Sequence, residues 1–176
     1  QLDKKALIID DRMNGGGNVS PMIIERLQRE VYRMNMYRNG SEGLATIPES
    51  THHGPKVCLV DKYSSSDGDL FPYGFQKLGI GPLIGTRTWG GIVGISGSKP
   101  YVDGQDVRTP FFTSYSTDGK WILENEGVTP DIYVDINPFE DYLGNDAQLN
   151  KAVEVLLEQI KTYPQLPGVP APRVMD

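Results

Sequence analysis

Ala6-Leu7-Ile8-Ile9-Asp10-Asp11-Arg12-Met13-Asn14-Gly15-Gly16-Gly17-Asn18-Val19-Ser20-Pro21 is the stretch that decides the fold. Its first part is a short continuous apolar run, the pattern of a strand covered on both faces. A glycine loop follows, and then Ser20 as helix N-cap with Pro21 in the first helical position. Met22, Ile23, Leu27, Val31 and Met34 recur at helical spacing with charges between them, which predicts an amphipathic helix over residues 21–37. The unit is strand, glycine loop, helix. It recurs downstream. Lys56-Val57-Cys58-Leu59-Val60-Asp61 reads as a second buried strand, and Tyr63-Ser64-Ser65-Ser66-Asp67-Gly68-Asp69 as a turn of small residues. Residues 70–78 then read as a helix whose Pro72 sits in the first turns, where proline is tolerated.

Working outward, Leu83-Ile84-Gly85 starts a third strand, residues 38–55 lack periodicity, and residues 85–97 form a glycine-rich turning loop. Tyr101-Val102, residues 107–115 and Trp121-Ile122-Leu123 are short strand candidates parted by the turn signals Asp103-Gly104 and Asp118-Gly119. Ile132-Tyr133-Val134-Asp135-Ile136 is one more strand. A closing helix is predicted over residues 146–162, with Leu149, Ala152, Val153, Leu156, Leu157 and Ile160 on one face. The fold class is α/β. The expected organisation is one domain over residues 1–163 and an extended, proline-rich tail over residues 164–176. Because strand-like sequence begins almost at Gln1, which is not an initiator Met, the expectation is a segment of a longer polypeptide. Its compartment, cytoplasmic or periplasmic, is left open.

The chain has 176 residues, 17 basic and 23 acidic, for a net charge of −6, which argues against a nucleic-acid binder working by general phosphate attraction. No apolar run approaches the roughly 20 residues that span a bilayer, so no membrane span is expected. One cysteine excludes an internal disulfide framework or a thiolate zinc cluster, and the adjacent His52 and His53 are too few for a histidine-built metal site. No metal and no other cofactor is called for.

Two loops join the end of a buried strand to the start of a helix, where free N–H groups and the helix dipole point outward. The glycine loop lacks the Gly-Lys-Ser/Thr ending of a phosphate loop. Ser20 also stands where G-x-G-x-x-G would place its last glycine. A tight turn without a ligand explains it equally well. In the second loop, a serine that only caps a helix competes with a serine nucleophile at a sharp strand-to-helix turn, where the next N–H can face an oxyanion. Ser66, immediately before the helix, fits the second description. Glu124 and Glu126 read as solvated loop carboxylates, Cys58 as buried and inert, and His52 and His53 as loop residues. Trp89 is open between core anchor and lid.

Together the motifs have a family likeness. Asp10-Asp11-Arg12-Met13-Asn14-Gly15-Gly16-Gly17-Asn18 resembles the D-x-R-x-N-x-G-G element of the C-terminal processing peptidase superfamily, family S41. Tyr63-Ser64-Ser65-Ser66-Asp67-Gly68-Asp69 resembles the nucleophile segment of its tricorn-like branch. Ile84-Gly85-Thr86-Arg87-Thr88-Trp89-Gly90-Gly91 and Glu124-Asn125-Glu126-Gly127-Val128-Thr129-Pro130-Asp131 are similar to two further blocks of that branch, in family order.

The resemblance implies a serine peptidase acting on oligopeptides, with a crotonase/ClpP-like β-β-α spiral core. It implies Ser66 as nucleophile, and an oxyanion hole from the Asp67 N–H and a glycine N–H, Gly16 in the first place and Gly17 as the alternative. Glu124 would complete a Ser–His–Ser–Glu tetrad. The serine–lysine branch is set aside because Gly91 stands where its lysine belongs. The tetrad's histidine and its serine neighbour would lie upstream of these residues, before a PDZ domain of the same polypeptide. The resemblance also implies a homo-oligomer, hexameric in that branch. Two rival classes are a non-catalytic peptide-binding module on the same fold and, more distantly, an acyl-CoA enzyme that needs no serine.

Overall fold

The computed structural model describes residues 1–38, 45–97 and 99–171. In chain order the elements are β1 (Leu7–Asp10), α1 (Ser20–Leu27), β2 (Arg33–Asn35), β3 (Ala45–Ile47), β4 (Lys56–Val60) and α2 (Asp67–Lys77). They continue with β5 (Leu83–Gly85), β6 (Gly94–Gly97), β7 (Arg108–Phe112), β8 (Ile132–Tyr133), α3 (Pro138–Tyr142) and α4 (Ala147–Thr162).

Four strands form a parallel sheet in the order β1-β4-β5-β8. β4 has a neighbour on each side and every one of its residues is buried, which is why its sequence is continuously apolar rather than alternating. Its side chains still alternate between two cores. Cys58 and Val60 pack with Phe71, Phe75 and Leu83 under α1 and α2, while Val57 and Leu59 pack with Ala152 and Leu156 of α4. Because the sheet is parallel, β1, β4 and β5 all release their following loops at the same edge. The glycine loop, the serine turn and residues 86–93 therefore meet there, as in the crevice of other open α/β sheets.

The structure corrects several expectations. The first helix ends at Leu27 rather than running to residue 37, because Arg33–Asn35 pairs antiparallel with Ala45–Ile47 and the Tyr32 N–H donates to the Ile47 carbonyl. Val31 and Tyr32 favour extended backbone, and a long-range partner decides between the two periodicities. Its packed residues are Ile24 and Leu27, with Met22 and Ile23 exposed. Within the stretch read as irregular, β3 is a strand, and residues 39–44 lie outside the described residues.

The second helix starts at Asp67, directly after Ser66, not at residue 70. The glycine-rich loop contains β6, which pairs with β7. Tyr101 closes a turn onto Gln105 instead of forming a strand, and Trp121 makes only a single bridge to Tyr115. The helix α3 was not foreseen, although Asn137-Pro138 signals its start and Asn137 Oδ1 accepts the Phe139 and Glu140 N–H groups. In α4 the buried stripe is Ala152 and Leu156, leaving Val153 and Leu157 exposed.

Phe75, fully buried between α2 and β5, carries the α2 side of the core. Phe75→Ala is expected to lower unfolding free energy by about 3–5 kcal/mol. The exposed Leu157→Ala should stay within about 0.5 kcal/mol of wild type. Equilibrium denaturant titration measures both.

Candidate active site

The three loops at the strand ends are laced together by main-chain donors. Asp61 Oδ1 accepts the N–H groups of Met13 (3.1 Å), Tyr63 (2.9 Å) and Ser64 (2.9 Å). The Ser64 hydroxyl donates to the Asp11 carbonyl (2.9 Å), and the Ser65 N–H to the Asn14 carbonyl (2.8 Å). Ser64 is fully buried in this lacing. Asp67 is buried as well, and its carboxylate accepts the N–H groups of Val19 (3.0 Å) and Ser20 (3.1 Å) and the Ser20 hydroxyl (2.5 Å). Ser20, expected as the N-cap, is instead the first residue of α1 behind Val19, and the cap comes from the Asp67 carboxylate at the start of α2.

Ser66 differs from the two serines before it. Its backbone sits at φ 57°, ψ −114°, a conformation that costs a non-glycine residue roughly 1–3 kcal/mol and is sustained only by its surroundings. The side chain is half-buried and lies between the end of β4 and the first turn of α2. The Ser66 N–H donates to the Gly91 carbonyl (3.1 Å) and to Asp69 Oδ2 (3.0 Å). The next N–H, that of Asp67, is the first of α2 and makes no hydrogen bond with a described residue.

Gly16 faces Ser66 from the glycine loop. At its φ of +117° an added Cβ would stand 2.9 Å from Ser66 Cβ and 3.2 Å from Ser66 Oγ, so only glycine allows this approach. The Gly16 N–H donates to Asn14 Oδ1 (3.0 Å), whereas the Gly17 N–H has no partner among the described residues.

On the other flank, Glu124 Oε2 accepts the N–H groups of Ile92 (2.8 Å) and Val93 (3.1 Å). Its neighbours Leu123 and Asn125 both have positive φ, 65° and 64°. The Asn125 N–H donates to the Gly90 carbonyl (2.7 Å). Glu124 is therefore not a free, solvated loop carboxylate; it grips the segment that also touches the Ser66 turn. The exposed Trp89 indole lies over Gly91, where an added Cβ would fall 2.2 Å from the ring.

Asp69 went unremarked in the sequence, although it stands three residues after Ser66 in the spacing of a capping box. It is completely buried, accepting from Ser66 N, Gly91 N (3.1 Å), Gly90 N (2.8 Å) and Thr88 Oγ1 (2.5 Å). Arg12 ties the glycine loop to the far side of the sheet through Asp10, Asp146 and Gln148.

His52 and His53 precede β4 and so lie at the opposite edge of the sheet from Ser66. His53 Nε2 lies 2.8 Å from the Pro164 carbonyl, and burial, reinforced by Lys56, holds the His52 pKa below its ordinary range. Neither reaches the serine. Burial pushes the Cys58 thiol well above its usual pKa, in line with an inert core residue.

Ser66 thus stands in a strained strand-to-helix turn, packed against a glycine loop at the edge of a parallel sheet, a geometry comparable to that of nucleophile elbows. A family model, Peptidase family S41, matches residues 1–134, and the chain belongs to that family. It is 38% identical over 168 residues to the tricorn protease of Thermoplasma acidophilum, covering 95% of this chain and 16% of that protein. It is 40% identical over 162 residues to a putative tricorn-like protease C-terminal subunit of Sulfurisphaera tokodaii, covering 92% and 19%. The crystal structure of the tricorn protease superposes with a TM-score of 0.85 at 36% identity, over 92% of this chain and 16% of that one. The chain thus spans less than a fifth of the length of these relatives.

Asp11, beside the glycine loop, has one carboxylate oxygen without a partner and the other bonded to Asn14 Nδ2. Burial, together with the nearby Asp67, Asp10 and Asp61, raises its pKa from 3.8 to about 7. Between these values the native state holds a proton that the unfolded chain has released, so stability falls as pH rises through that window. Asp11→Asn, which keeps the acceptor for Asn14, should remove this fall, gaining more stability over wild type at pH 8 than at pH 4. Thermal melts across pH measure it, and parallel curves for the two proteins would count against it.

Proposed function

We propose that these residues are the nucleophile-bearing core of a serine peptidase that hydrolyses oligopeptides. The observation that carries the reading is the Ser66 turn: strained, half-buried, pressed against Gly16, and followed by the unspent N–H of Asp67 at the start of α2. Membership of family S41 and the likeness to tricorn proteases support the same reading.

In this mechanism a histidine takes the proton of Ser66 Oγ as the oxygen attacks the peptide carbonyl carbon. The Asp67 N–H and a glycine N–H stabilise the tetrahedral oxyanion. Of the two glycines expected to serve, Gly17 is the better donor, because the Gly16 N–H is engaged by Asn14 and Gly16 instead makes room beside Ser66. The histidine then protonates the departing amine, and water hydrolyses the acyl-enzyme. Glu124, with Oε2 held by Ile92 and Val93, has Oε1 left for the remaining pair of a Ser–His–Ser–Glu tetrad.

The histidine is assigned to an upstream part of the same polypeptide, since both histidines of this chain sit at the wrong edge of the sheet. A PDZ domain upstream and a homo-oligomer of the longer chain belong to the same reading. Without the base, a serine at neutral pH is a poor nucleophile, so the 176-residue chain alone is expected to be nearly inert.

In the longer chain, Ser66→Ala should reduce peptide turnover by about 10⁴-fold or more, and Glu124→Gln by about ten- to a hundredfold. Steady-state hydrolysis of a fluorogenic oligopeptide reads both. Wild-type turnover in Ser66→Ala would refute the assignment.

A further inference from the structure

We propose that Asp69 is a positioning residue for the nucleophile, and that its carboxylate couples the Ser66 turn to the segment held by Glu124. The proposal rests on the peptidase reading and assigns a role to a residue that reading does not use.

A carboxylate offers about four acceptor positions. At Asp69 each oxygen takes two donors: Oδ1 from the Thr88 hydroxyl and the Gly90 N–H, and Oδ2 from the Ser66 and Gly91 N–H groups. Asp69 has no exposed surface and no ion pair among the described residues. Its charge is therefore supported by these four hydrogen bonds and by the N-terminal turn of α2, in which it lies.

Three of the four donors are main-chain N–H groups, so the carboxylate fixes backbone. The Ser66 N–H belongs to the peptide plane that sets the strained φ of Ser66, and hence the direction of its side chain. Gly90 needs to be glycine here, since at φ +86° an added Cβ would stand 2.6 Å from the Gly127 nitrogen. The next two N–H groups along the chain, those of Ile92 and Val93, go to Glu124. A continuous path thus runs from Ser66 through Asp69 and residues 90–93 to Glu124. It passes entirely through hydrogen bonds to carboxylates and through backbone.

Asn in place of Asp69 would turn an NH₂ group toward one pair of donors. That leaves the Gly91 N–H or, in the other amide orientation, the Gly90 N–H unpaired in a buried site, and the Ser66 N–H held by the Gly91 carbonyl with at most one partner on residue 69. Because the substrate need not touch Asp69, the loss should fall on the chemical step and not on binding. A displacement of about 1 Å in the nucleophile can cost about 10²-fold in rate.

The test uses the longer chain. Asp69→Asn should lower kcat by about 10²-fold with KM within about threefold, and slow phosphonate labelling of Ser66 in proportion. Thr88→Val, which removes the donor to Asp69 and the acceptor of the Val128 N–H, should lower kcat about five- to tenfold, while Thr88→Ser, which keeps both, holds it within about twofold. This pair decides the matter should Asp69→Asn fail to fold. Folded Asp69→Asn with wild-type kcat, a loss confined to KM, or equal effects of the two Thr88 variants would overturn the proposal alone. Wild-type chain that neither cleaves peptide nor labels at Ser66 would overturn the peptidase reading and this proposal with it.

Discussion

A buried carboxylate with every acceptor position filled by a donor organises this structure. Asp69 leaves no room for a different backbone at Ser66, Gly90 or Gly91, because each departure would strand a donor or an acceptor away from water. Two residues earlier in the same helical turn, Asp67 does the equivalent for the glycine loop by accepting from Val19 and Ser20. Both carboxylates lie in the first turn of α2, where the helix dipole favours negative charge. Their acceptors reach in opposite directions, one to each neighbouring loop, and Ser66 is held between them.

The parallel sheet makes this convergence possible. β1, β4 and β5 are adjacent and point the same way, so three loops distant in sequence leave from one edge. β4 supplies the rigid support. Fully buried and clamped by separate cores above and below, it ends just before Asp61, the residue that lashes the serine turn to the glycine loop. Strain at Ser66 persists because the scaffold on both sides is over-determined. Asp11 is an opposing element: a carboxyl with an unpartnered oxygen, driven toward its neutral form, one hydrogen bond away from the Asn14 side chain that steadies Gly16.

What the sequence made legible follows from which interactions are local. The continuous apolar run of β4, the glycine loop after β1, and α4 with its Asp146 start are written in neighbouring residues, and the structure places all three. The end of α1 was not local: its periodic residues continue past Leu27, and only pairing with Ala45–Ile47 diverts them into β2. Short strands near residues 101 and 121 failed because turn signals say where a chain bends without saying what it pairs with. At the site, residue chemistry alone favoured a helix cap at Ser66, and only the resemblance to family motifs pointed to a nucleophile there. The structure adds that Ser64 is buried in lacing while Ser66 alone of the three serines is strained. Asp69 was missed because its partners, Thr88, Gly90 and Gly91, lie about twenty residues on, beyond the reach of local patterns.

Ser66 is proposed as a nucleophile whose base lies outside these residues. Fluorophosphonate labelling with adduct mapping, on the longer chain and on the 176-residue chain side by side, tests it most directly. A stoichiometric adduct on Ser66 is expected in the longer chain and little or none in the shorter one. Equal labelling of Ser66 in both, or none on Ser66 in the longer chain, would contradict it.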